Sequence, residues 1–167
     1  MTVPQFLFFC AFSVVALAII AFGVLVVRTA QVDDGGPFVS RALLARLAKP
    51  GSERAELQRW AFYLHRISGV ALFAFLCLHV GDVSLFVFSR ELYDEVHQVY
   101  GSTAMRIGEV GLLFGLLFHA FNGIRLVAVD VADLGLVAST RALYGVVAAT
   151  VLCGGVGTVY IMAPVIG

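Results

Sequence analysis

Residues Met105 to Val131 read MRIGEVGLLFGLLFHAFNGIRLVAVDV. A helix needs about 20 mostly apolar residues to cross a bilayer core. This stretch is longer than that, and its charges, Arg106, Glu109, Arg125 and Asp130, lie towards its two ends. It predicts a transmembrane helix. Working outward, three further stretches qualify: Val3 to Val27, Ala61 to Phe88, and Ala142 to Ile166. Composition agrees. Hydrophobic types make up 60% of the 167 residues and charged types 13%, about half the charged share of a soluble domain. The mean hydropathy is +0.97. Net charge is zero, so no field attracts nucleic acid or an acidic substrate.

The fold class expected is therefore an all-α integral membrane bundle, three core helices plus one extra N-terminal helix. The organisation divides into residues 1–30, an N-terminal transmembrane helix; 31–59, a basic loop; and 60–167, a three-helix anchor. The first span lacks the basic residues that precede the apolar core of a signal peptide, so it reads as a retained helix. Seven of the eleven basic residues, Arg28, Arg41, Arg46, Lys49, Arg54, Arg59 and Arg66, lie between spans one and two. The positive-inside rule then places the first and third loops in the cytoplasm. In the first loop Asp33 to Pro37 signals a turn. Phe38 to Leu47 has the spacing of a short surface helix, and a polar helical turn from Ser52 to Arg59 leads into span two. Ser89 to Ser102 reads as a short amphipathic helix ended by Gly101. Cys10, Cys77 and Cys153 are far apart in apolar runs and read as small buried hydrophobes.

Histidines carry the chemistry. An ionisable residue within a span is costly and signals function. His79 and His119 lie deep in spans two and three, with no zinc-type cluster around them. A lone imidazole on an apolar face suits the iron of a haem. Gly108, Gly111, Gly115, His119 and Asn122–Gly123 form one stripe of a helix. The stripe fits either close helix packing or a flat ring beside His119. His79 lies 14 residues beyond His65, about 21 Å along a helix, whereas His119 is six residues, about 9 Å, from Arg125. The two histidines then sit at different depths and serve different irons, or His79 is a hydrogen-bonded core residue. His65 and Arg66 stand at the mouth of span two, where they either snorkel to headgroups or hold an anionic or carbonyl oxygen. His97 reads as a solvated loop residue.

Two stretches carry a family resemblance. Leu64-His65-Arg66-Ile67-Ser68-Gly69 opens the first core helix, and His119-Ala120-Phe121-Asn122-Gly123-Ile124-Arg125, followed by Asp130, closes the second. In this order, on consecutive spans, they resemble the cytochrome b membrane-anchor subunit of succinate dehydrogenases over roughly Trp60 to Asp130. The resemblance implies an electron-transfer subunit of the tricarboxylic acid cycle enzyme in the bacterial inner membrane. A partner flavoprotein oxidises succinate, and an iron–sulfur subunit passes electrons to a quinone at the anchor. It implies haem b, one or two, with His119 as axial ligand and His79 similar to the ligand of a second haem. Arg66, with His65 beside it, falls on the quinone and haem-propionate positions. Phe62 stands where the family often has Ser, so Trp60 or Ser68 is expected to line the quinone site instead. The last span has no His, so a second anchor subunit must complete the haem ligation. The alternatives are a cytochrome b subunit of a hydrogenase or formate dehydrogenase, and a proton path through His79, Asp82, Glu109 and His119.

Overall fold

The computed structural model describes residues 2–33 and 54–166. Helix α1 spans Val3–Asp33, α2 Arg54–Phe88, α3 Arg90–His97, α4 Thr103–Val131 and α5 Leu136–Ile166, with a 3₁₀ turn at Gln98–Gly101 between α3 and α4. Four of these are long and apolar enough to cross a membrane, over Val3–Val26, Leu57–Phe88, Thr103–Val131 and Leu136–Pro164. The chain is an all-α membrane helix bundle. The expected surface helix at Phe38 to Leu47 lies outside the described residues.

Helix boundaries follow local chemistry. Ser89 caps α3, its Oγ accepting from the Leu92 amide at 3.2 Å, and Ser102 caps α4, accepting from the Met105 amide at 3.4 Å. Each oxygen satisfies an amide that the first helical turn leaves without a partner. At the other end of α4, Asp133 adopts φ 47°, and the Leu134 amide donates back to the Val129 carbonyl at 3.1 Å. This left-handed turn closes the helix end and lets α5 start at Leu136, six residues before the apolar run that marks it in the sequence. Likewise α2 begins at Arg54, because the polar turn expected ahead of the span is continuous with it.

The interior mixes polar with apolar side chains, and the outside is apolar. Asn122 is fully buried, Asp82 and Thr140 are 4% exposed, and Arg125 and Ser139 6%. Large side chains such as Phe73, Val87, Leu152 and Tyr160 face outward. Lipid rewards that arrangement, because apolar side chains gain nothing by leaving it while polar groups need internal partners. Helices α4 and α5 approach closely at Gly154 and Gly157, where an added Cβ would run into the Phe114 and Leu113 side chains. Arg106 adds a bond to the Ile161 carbonyl at 3.0 Å. Helix α1 is held at one end by Gln5, which donates to the Glu95 carbonyl at 2.9 Å, and by Phe8 against Tyr100.

Candidate functional site: a histidine pair between two helices

The opening motif of α2 and the closing motif of α4 meet. The rings of His65 and His119 stack 4.0 Å apart at an interplanar angle of 4°. Gly69 makes the seat, since a Cβ there would lie 2.9 Å from His119 Cε1. Gly123 does the same more loosely for His65, at 3.5 Å. The two glycines of the motifs thus each face the histidine of the other helix.

Hydrogen bonding selects the His119 tautomer. Nδ1 lies 3.1 Å from the His65 carbonyl and 3.3 Å from Ser68 Oγ. The Ser68 hydroxyl itself donates to the His65 carbonyl at 3.0 Å. A carbonyl only accepts, so Nδ1 carries the proton and Nε2 keeps its lone pair. No hydrogen bond among the described residues engages Nε2. An imidazole with Nδ1–H tied to a carbonyl and Nε2 open has the form of a metal-ligating histidine. His65 Nδ1 is buried and has no hydrogen-bond partner among the described residues.

The other expected residues are distributed along α2. Arg66 is exposed, with its Cζ 5.4 Å from the Phe62 ring centroid, so Phe62 supports the arginine in a cation–π contact. Trp60 is half-buried, five residues before His65. Ser68 commits its hydroxyl to His65 and His119. His79 is exposed and stacks on Phe75 at 5.7 Å. Because His65 and His119 are level, the 14 residues from His65 to His79 place His79 about 21 Å from the pair. Asp82 is farther still, about 25 Å along α2 by the same rise. Asp82 and Glu109 act on Tyr100 at that distant end. There burial, then the Asp82 carboxylate, raises the Tyr100 phenol above its ordinary pKa. Of the four residues of the proton-path alternative, His119 therefore lies apart from His79, Asp82 and Glu109. Among the described residues no group of three or more His, Cys, Asp or Glu gathers to hold a metal. Haem iron asks less, a single protein nitrogen on a face.

Sequence reasoning treats Arg125 only as an interface marker. It is a buried clasp instead. Its Nε donates to Asn122 Oδ1 at 2.9 Å, and its Nη1 to Gln58 Oε1 at 2.7 Å and Ser139 Oγ at 2.9 Å. Gln58 in turn donates to Thr140 Oγ1 at 3.3 Å. One guanidinium thus joins α2, α4 and α5 next to the histidine pair. An Asn three residues before the arginine was the available signal, as i and i+3 side chains are neighbours on a helix.

The fold and site define a class: a membrane helix bundle with a histidine-lined junction between two spans. The chain belongs to the succinate dehydrogenase/fumarate reductase transmembrane subunit family, whose profile matches residues 47–157. Helix α1 lies outside that match. The chain is similar to the succinate dehydrogenase 2 membrane subunit SdhC of Mycobacterium tuberculosis, 38% identical over 77 residues, which cover 46% of this chain and 57% of that one. It is also similar to the succinate dehydrogenase hydrophobic membrane anchor subunit of Halobacterium salinarum, 35% identical over 86 residues, 51% of this chain and 65% of that one. The matches thus span 57% and 65% of the lengths of these relatives. No solved structure matches.

Proposed function

We propose that the chain is the membrane-anchor cytochrome b subunit of a succinate:quinone oxidoreductase. The observation that carries this is the His119 ring, oriented by His65 and Ser68 with Nε2 open. His119 holds haem b, which when bound supplies a one-electron centre inside the bilayer. The Nδ1–H bond to the His65 carbonyl makes Nε2 a stronger base and holds the ring at one angle. The stacked His65, with an unpartnered Nδ1, and Arg66 present polar groups to a haem propionate or a quinone carbonyl. The arginine's bond strengthens as negative charge develops on a reduced quinone. Trp60 and Ser68 border that quinone site.

A flavoprotein and an iron–sulfur subunit dock on the basic, cytoplasmic side, and succinate is oxidised on the flavoprotein. A second membrane anchor would supply a further haem ligand, since the histidine beside His119 in this chain is His65, whose ring is stacked on it. His79, exposed and a distant level away, serves a second haem in the same way. The localisation that follows is the bacterial inner membrane.

The test is a haem count with a reduced-minus-oxidised spectrum on the purified complex. His119→Ala should remove one haem, and full haem occupancy in that variant refutes the ligand role. His79→Leu should remove the other, and an unchanged count withdraws His79. Arg66→Ala should slow quinone reduction while succinate oxidation by a dye acceptor persists. Equal loss of both would mean failed assembly rather than a damaged quinone site.

A further inference from the structure

A cavity of about 440 Å³ lies between α1, α2 and α4. It falls within the range of about 300–1,000 Å³ typical of ligand pockets. Phe12 and Ala16 stand on its α1 wall, Ser68 and Leu78 mark its extent along α2, and Gly111 and Gly115 form its α4 wall. From Ser68 to Leu78 it runs ten residues, about 15 Å.

The cavity is framed rather than left over. Helix α1 touches α2 where Gly23 faces Ile67, with a notional Cβ 3.9 Å away, and touches α4 where Phe12 faces Gly108 at 3.6 Å. Eleven residues separate Phe12 from Gly23, about 16 Å. Between these props α1 stands off. A Cβ at Gly111 or Gly115 would meet nothing within 4 Å. A small-residue stripe in a membrane normally draws a neighbouring helix into contact. Here it opens onto space.

We propose that this slot receives the isoprenoid tail of the membrane quinone. It extends along α2, and its lining is apolar except for Ser68, whose hydroxyl is already engaged. Neither His119 nor His79 lines it. Ser68 lines the slot, its hydroxyl donates to the His65 carbonyl, and in the reading above it borders the quinone head, so head and tail would meet at this residue. The proposal rests on the quinone reading above. It also accounts for α1, the helix outside the family match, which is the wall that makes the slot.

The test compares KM for two isoprenoid quinones with one head group, long-tailed and short-tailed, in the complete complex reconstituted in lipid discs. Gly115→Leu and Ala16→Phe fill the slot from opposite walls and different helices, so one variant checks the other for misfolding. Dye-acceptor activity normalises for assembly. The long-to-short KM ratio should rise about tenfold in both, the effect of displacing roughly two buried methylene groups. An unchanged ratio in assembled variants overturns the proposal. So does loss of a co-purified phospholipid with the ratio unchanged, which assigns the slot to an acyl chain. A wild-type complex that reduces neither quinone sinks the quinone reading, and the slot with it.

Discussion

Adding one methyl group at Gly69 should unseat His119. The new Cβ would lie 2.9 Å from His119 Cε1 and 3.4 Å from Nδ1. Carbon atoms rest at about 3.5–4.0 Å, so the ring or the helix must give by roughly 0.6–1.1 Å. A shift of that size carries Nδ1 from 3.1 Å to about 3.7 Å or more from the His65 carbonyl, outside hydrogen-bonding range. The loss is about 0.5–1.5 kcal/mol of hydrogen bond. Removing such an orienting bond also weakens a metal ligand about 10- to 100-fold. Alanine is intrinsically better than glycine in a helix by about 1 kcal/mol, so propensity works in the opposite direction and cannot produce the damage. Gly111→Ala is the matched control, because its Cβ meets nothing within 4 Å. The assay is haem per complex by the pyridine haemochrome method, with the low-spin haem signal recorded by paramagnetic resonance. Gly69→Ala should lose haem or broaden that signal, and Gly111→Ala should keep both. Full haem and an unshifted signal in Gly69→Ala would refute the geometry.

Two further perturbations address other parts of the bundle. Arg125→Met removes four hydrogen bonds and leaves Asn122, Gln58 and Ser139 short of partners; relief of charge burial offsets part of this, for a net loss of about 2 kcal/mol. Thermal melting of the purified complex should fall, Arg125→Lys should fare little better because an ammonium lacks the planar fork, and an unchanged melt in both rejects the clasp. The Tyr100 phenol is raised by burial first and by Asp82 next. Its stabilising contribution is therefore complete below the unfolded value of about 10 and is lost as pH climbs from there through the folded pKa. An ultraviolet difference titration of wild type against Tyr100→Phe should show one phenol that resists ionisation well above pH 10, and a normal titration removes the effect.

Span existence is legible because it depends on length and composition, which Met105 to Val131 displays without context. Span ends are less so. Leu136 to Arg141 looks like loop because Ser139, Thr140 and Arg141 are polar, yet Ser139 and Thr140 are drawn into the helix by Arg125 and Gln58. The meeting of His65 with His119 is half visible: both motifs stand out, but which atoms face each other depends on the relative rotation of two helices, which no single-helix pattern encodes. The glycine stripe shows the same limit. Its periodicity is readable, while what lies opposite it is decided by the bulk of Phe12 on another helix. Arg125 escapes sequence reasoning for a physical reason also. An arginine near a span end usually snorkels outward, and turning it inward requires acceptors from α2 and α5 that are remote in sequence.

The two kinds of helix contact in this bundle divide its labour. Helices α2, α4 and α5 are joined by buried polar bonds and by glycine-mediated approach, contacts with one geometry each. Beside them the His119 ring is held at one angle by Ser68 and the His65 carbonyl. Helix α1 meets the others at points that include Gln5, Phe8, Phe12 and Gly23. Apolar contacts in lipid have little directional preference, so α1 can shift sideways at modest cost between Phe12 and Gly23. A wall of that kind can admit a hydrocarbon chain without disturbing the His65–His119 junction. The chain therefore keeps its directional contacts around the His65–His119 junction and its less directional ones along α1.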